Sequence, residues 1–156
     1  MSTDQPSLEP VLRARIQSAP DLDSALRVAV AGLAEASLRY HWVGVYRLDG
    51  DALVLHNEIG KPTPHVRIPI SQGLCGAAVR ELRTIVVDDV RTDPRYLACT
   101  LETRSEIVVP IISGAGHVFG EIDLDSDEPA AFRPADRQLV EAAAGALAAR
   151  LDVSGG

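Results

Sequence analysis

The two cysteines of the chain stand 24 residues apart, Cys75 in "GLCGAAV" and Cys99 in "DPRYLACTLETRSEIVVP". A structural cysteine belongs inside an apolar run among Val and Ile. Cys99 instead lies in a charged loop with Arg95, Glu102, Arg104 and Glu106. That setting suits a nucleophilic thiol as well as an idle one, because neighbouring charge and exposure govern thiolate reactivity. Cys75 opens an expected short helix, and a helix start lowers a thiol's pKa; the other reading is a small core residue whose flanking glycines permit close packing. Acids form the second group. In "HVFGEIDLD" strand alternation puts Glu121, Asp123 and Asp125 on one face and Val118, Ile122 and Leu124 on the other. Spacing alone predicts a solvated sheet face. Under a covering layer, carboxylates about 7 Å apart resist ionising together, so one keeps a proton it can donate while another pairs with an ammonium. Trp42, the one tryptophan, and Tyr46 fall four apart on one strand and so share a face, and the residues alone suggest core aromatics.

The elements that must position these residues are legible from periodicity. Residues 21–39 carry Leu22, Leu26, Ala29 and Leu33 at helical steps, and a second helix is expected near residues 7–17. From Trp42 the period becomes two: "WVGVYRL" and "ALVLHNEI" flank "DGD", a strong hairpin signal. Further strands are expected at "TIVVDDV", "EIVVPII" and "HVFGEIDLD", the last two joined by the turn "SGAG". Pro134 opens a closing helix with Leu139, Ala143, Leu147 and Leu151 on one stripe. This order predicts an α+β domain: an antiparallel sheet with N- and C-terminal helices on one face, and residues 57–105 laid over the other to leave a pocket.

Length and charge narrow the class of function. A chain of 156 residues, 46% of them hydrophobic, fits one domain. The division expected is an N-terminal segment over residues 1–20, a single domain over 21–151 and a tail over 152–156. A net charge of -7 with dispersed acids argues against a nucleic-acid surface. No run approaches a membrane span and "MSTDQPSLEP" has no leader character, so a cytoplasmic protein is expected. In that compartment the two cysteines are expected as reduced thiols.

The ordered segments "WVGVY", "GKPTPHVRIPISQGLCGAAV", "DPRYLACT", "SEIVVPI" and "GEIDLDSD" resemble the free methionine-(R)-sulfoxide reductases, a branch of the GAF-domain family, from about Leu22 to Leu151. The resemblance implies a GAF-like domain that reduces free L-methionine (R)-S-oxide and leaves oxidised methionine in proteins alone. It implies Cys99 as nucleophile, a sulfenic acid there, a disulfide with Cys75 and regeneration by a thioredoxin-like reductant, with no cofactor. Glu106, Asp123 and Asp125 then line the substrate site, and Trp42 and Tyr46 wall the methyl end; Glu102 is not at a matched position. The family commonly has a third cysteine where this chain has His65. Either Cys75 resolves the sulfenic acid directly, or catalysis has been lost and the pocket kept. His65 itself reads as a surface residue, with a base near Cys99 as the other reading. A metal site from His65, Cys75 and Cys99 matches no usual zinc spacing, and no metal is expected. A GAF sensor that binds an amino-acid-like ligand without chemistry is the alternative. The amphipathic terminal helices favour a homodimer in either case.

Overall fold

Two hairpins supply the centre of the sheet in the computed structural model, which describes residues 8–98 and 102–154. Strands β1 (Trp42–Asp49) and β2 (Ala52–Gly60) meet at the Asp-Gly turn, where Gly50 takes φ +63. Such a left-handed position costs a glycine little. Strands β5 (Ser105–Ile112) and β6 (Val118–Ser126) meet at a second turn, with Gly116 at φ +89. Short edge strands β3 (Arg67–Pro69) and β4 (Ile85–Val87) complete a six-stranded sheet in the order β3-β2-β1-β6-β5-β4, and every strand pair is antiparallel. The expected strand "TIVVDDV" is therefore only three residues long. Asp89 ends it by accepting the Arg91 backbone N–H at 3.1 Å, which turns the chain into a short 3-10 segment (Val90–Thr92).

Helices α2 (Leu22–Ala36) and α4 (Pro134–Ser154) pack on one face, and α1 (Leu8–Ser18) packs against both of them on the same side. Leu26, Ala29 and Leu33 of the α2 stripe and Leu147 of α4 are buried against Val43, Val45, Ile107, Ile122 and Leu124. Burying each larger side chain is worth roughly 1.5–3 kcal/mol. Leu12 and Ile16 of α1 belong to the same core. Asp21 caps α2 by accepting the Ser24 N–H at 2.8 Å, a contact typically worth about 1 kcal/mol. Asp136 ties α4 to the α2–β1 connection: it accepts the Arg133 N–H at 2.9 Å, Arg39 at 2.6 Å and the Tyr40 hydroxyl.

The other face carries α3 (Gly73–Glu81) and a second buried cluster in which Trp42, Tyr46, Leu53, Ile68, Cys75 and Val108 meet. The middle of the chain covers the sheet, as the α+β layout requires. Gly76 explains how closely α3 approaches: a β-carbon there would fall 2.4 Å from the Ile70 carbonyl oxygen. No described helix is long and apolar enough to cross a membrane.

Candidate active site

The register of three strands fixes the floor of the site. On β1, Trp42, Gly44 and Tyr46 pair with Asp125, Asp123 and Glu121 of β6, while Glu106 of β5 pairs with Asp125 from the other side. All these side chains project from the face opposite the helical core. Gly44 lies between the aromatics, and the Trp42 ring occupies the space its side chain lacks: a β-carbon there would fall 2.3 Å from Cη2. The Trp42 and Tyr46 rings are 6.4 Å apart and tilted by 43°. Their polar ends hold down the covering segment. The Trp42 indole donates to Glu58 Oε1 at 2.9 Å, the same oxygen accepts the Thr63 N–H at 2.9 Å, and the Tyr46 hydroxyl donates to the His65 carbonyl at 2.6 Å.

The face that spacing alone assigns to solvent is closed. Glu121, Asp123 and Asp125 are 0%, 2% and 3% exposed and Glu106 is 5% exposed, because α3 and the segment after β2 lie over them. Oxygens of Glu106, Asp123 and Asp125 come within 4.8 Å of one another, and so do Cys75 Sγ and oxygens of Glu121 and Asp123. The groups crowd closer than strand spacing suggests, because acids from two strands converge. Burial, and then the charge of Asp123, pushes the carboxyls of Glu121 and Asp125 well above the usual carboxylate range; burial pushes Asp123 up too. Acids held this close share protons rather than ionise together. Among the described residues, both oxygens of Glu121 and one each of Asp123 and Asp125 find no hydrogen-bond partner.

Cys75, on α3, faces this cluster from the covering side, 5% exposed, its thiol donating to Asp123 Oδ2 at 3.4 Å. The helix start does not lower its pKa. Burial pushes the thiol well above its ordinary value, with the charges of Asp123, Glu121 and Glu106 adding to it. The resting side chain is a neutral thiol.

A stability test follows for Glu121. A carboxyl whose pKa is raised by folding stabilises the fold fully below its unfolded pKa, and that contribution is lost as pH rises from there through the folded value. A Glu121→Gln variant is spared the loss. It is expected to match the parent near pH 4 and to gain stability over it steadily towards pH 8, as read by urea unfolding across that range. A constant difference at all pH values would show that Glu121 titrates normally.

A cavity of about 370 Å³ opens beside Trp42 and Asp125, and Lys61, Thr63, Glu102 and Asp127 line its other walls. A crevice of about 10 Å³, room for one water, lies among Tyr46, His65, Cys75, Leu97, Glu106 and Asp123. Six of the seven residues singled out in the sequence thus gather on one face. Cys99, the seventh, lies outside the described residues. His65 is not a plain surface residue: it is half-buried, and its Nε2–H donates to the carbonyl of Ala98 at 2.7 Å. It joins no cluster of possible metal ligands among the described residues. Glu102 lines the cavity despite its unmatched position, and Lys61, Asp127 and Glu58 were not anticipated. The one sequence signal for Lys61 is the glycine before it. Gly60, at φ +127, brings the chain so close to β1 that a β-carbon would fall 2.6 Å from the His41 carbonyl.

A curled antiparallel sheet with helices on one face and a covered polar pocket on the other defines the class. The chain belongs to the GAF domain family, whose model matches residues 21–151. Within that family it is similar to free methionine-R-sulfoxide reductases. The structure of the Neisseria meningitidis enzyme in complex with its substrate is 35% identical, with a TM-score of 0.86 over 94% of this chain and 87% of that one. The curated reductases of Saccharomyces cerevisiae and Escherichia coli are each 36% identical, over 65% and 63% of this chain. The matched regions span 57% and 58% of those two proteins, less than two thirds of their length.

Proposed function

We propose that this protein reduces free L-methionine (R)-S-oxide to methionine. The observation that carries the reading is a set of buried, proton-retaining acids of which one, Asp125, reaches the wall of the cavity bounded by Trp42. The likeness to a reductase solved with its substrate supports it. Removing the oxygen of a sulfoxide requires protons at that oxygen, and Asp125 is the acid that both retains a proton and lines the cavity. Trp42 gives the sulfur and methyl end an apolar surface.

In the proposed chemistry, the Cys99 thiol attacks the sulfoxide sulfur. The oxygen passes to the cysteine sulfur, so methionine leaves reduced by two electrons and Cys99 is left as a sulfenic acid. The Cys75 thiol then condenses with it, giving a disulfide and one water. A thioredoxin-like dithiol restores both thiols and becomes a disulfide itself. Because Cys75 rests as a neutral thiol, Asp123, which already accepts its hydrogen bond, is the group that takes its proton during this condensation. The chemistry requires the reducing conditions of a cytoplasm. A homodimer through the terminal helices accords with Leu8 and Val11, exposed on α1.

The deciding experiment is incubation with the separate epimers of free methionine sulfoxide and a dithiol, followed by methionine analysis. Turnover of the R epimer is expected, with little reduction of a peptide carrying the same oxidised residue, because a covered cavity admits a free amino acid more readily than a chain. Equal rates on free and peptide-bound substrate would overturn the substrate assignment. Methionine sulfoxide binding with no methionine formed would identify a sensor instead.

A further inference from the structure

The geometry points to Lys61 as the residue that reads the α-carboxylate of a free amino acid, with the ligand's ammonium set against Asp127 and Glu102. This deepens the proposed function and rests on it for the sulfur end of the ligand. Among the described residues, Lys61 is the only lysine or arginine lining the 370 Å³ cavity, whose acidic walls are Glu102, Asp125 and Asp127. The other basic side chain there, His41, is not a cation in this arrangement. Its Nδ1 accepts the Asp127 backbone N–H at 2.9 Å, which requires an unprotonated nitrogen. No ion pair engages Lys61 among the described residues, so its charge is available to a ligand.

Its backbone is held in place on both sides. On the N-terminal side, Gly60 brings the chain against β1 in a conformation that a side chain would strain, with its β-carbon meeting the His41 carbonyl. On the C-terminal side, the Thr63 N–H is fixed to Glu58 Oε1, the same oxygen that holds the Trp42 indole. The lysine stem therefore starts at the rim of the cavity in a position tied to the aromatic wall. A zwitterion satisfies this wall on both counts. Its carboxylate meets the one permanent cation among the described lining residues, and its ammonium meets Asp127 and Glu102. A carboxamide or a peptide has no charge to offer Lys61.

The test compares L-methionine sulfoxide with its carboxamide, and L-methionine with L-methioninamide, on the parent protein, Lys61→Met and Lys61→Arg. Lys61 is exposed, so its replacement leaves the fold intact. A charge-assisted contact of this kind is worth about tenfold in affinity. The parent's preference for the free acid over the amide, as a ratio of kcat/KM values, is expected to fall by that factor in Lys61→Met and to return in Lys61→Arg. Calorimetry reads the same contact without turnover: L-methionine loses about tenfold in affinity on Lys61→Met while L-methioninamide holds. Equal losses for both ligands, no loss for either, or no binding of L-methionine to the parent would overturn the assignment. A parent that reduces no sulfoxide but shows the calorimetric pattern would sink the reductase reading and leave Lys61 in place.

Discussion

A Cys99→Ser variant is expected to release no methionine from methionine sulfoxide, even in a single turnover with enzyme in excess. An alcohol is not ionised at neutral pH and does not attack a sulfoxide sulfur. Cys75→Ser is expected to differ in kind. It should release about one methionine per chain and then stall with thioredoxin as reductant, because the sulfenic acid at Cys99 has no internal thiol to condense with. Parent protein treated with substrate and no reductant should hold a Cys75 to Cys99 disulfide, visible by mass spectrometry of a digest. Burial of Cys75 makes the contrast sharp, since a thiol this enclosed meets external disulfides poorly. If Cys75→Ser cycles like the parent and no disulfide forms, Cys75 has no part in the mechanism and Cys99 is reduced directly from outside.

Asp125→Asn is expected to slow reduction by about 100-fold or more, the range in which positioned proton donors contribute. Asparagine keeps the shape and can still hydrogen-bond, but it cannot transfer a proton. The parent's rate should fall as pH rises and Asp125, held protonated by burial and by the charge of Asp123, finally ionises. That limb of the profile should vanish in the variant. Glu35→Gln is the matched control, an exposed acid on α2 on the far side of the sheet. Comparable slowing in Asp125→Asn and Glu35→Gln, or an unchanged pH limb, would remove Asp125 from proton transfer.

The elements were legible where period and turn chemistry agree. The Asp-Gly hairpin, the α2 stripe and the Pro134 start of α4 appear where alternation, helical steps and proline place them. Strand β3 was not anticipated, because three residues ending in proline carry no period. The acids were legible as one face of β6, but their burial was not. Alternation gives the face on which a side chain lies and is silent about what covers it, and here the cover is α3, brought down by Gly76. The same limit explains the pKa of Cys75. A helix start acts on a thiol from one side, whereas Asp123 and Glu121 reach it from a strand 46–48 residues later in the chain. Lys61 and Asp127 come together only through the loops at the ends of β1, β2 and β6, a proximity no local spacing encodes.

The buried, neutral state of Cys75 also bears on survival in an oxidising cell. Peroxide and soft electrophiles attack thiolates, and a thiol whose ionisation is opposed by three nearby carboxyls offers them almost none. Cys75 is thereby screened from the damage that produces methionine sulfoxide in the first place. In the proposed mechanism it reacts with a partner sulfur delivered inside the pocket, next to Asp123, which accepts its hydrogen bond. Under that mechanism, the second thiol is kept for the condensation with Cys99 and not lost to the surrounding oxidant.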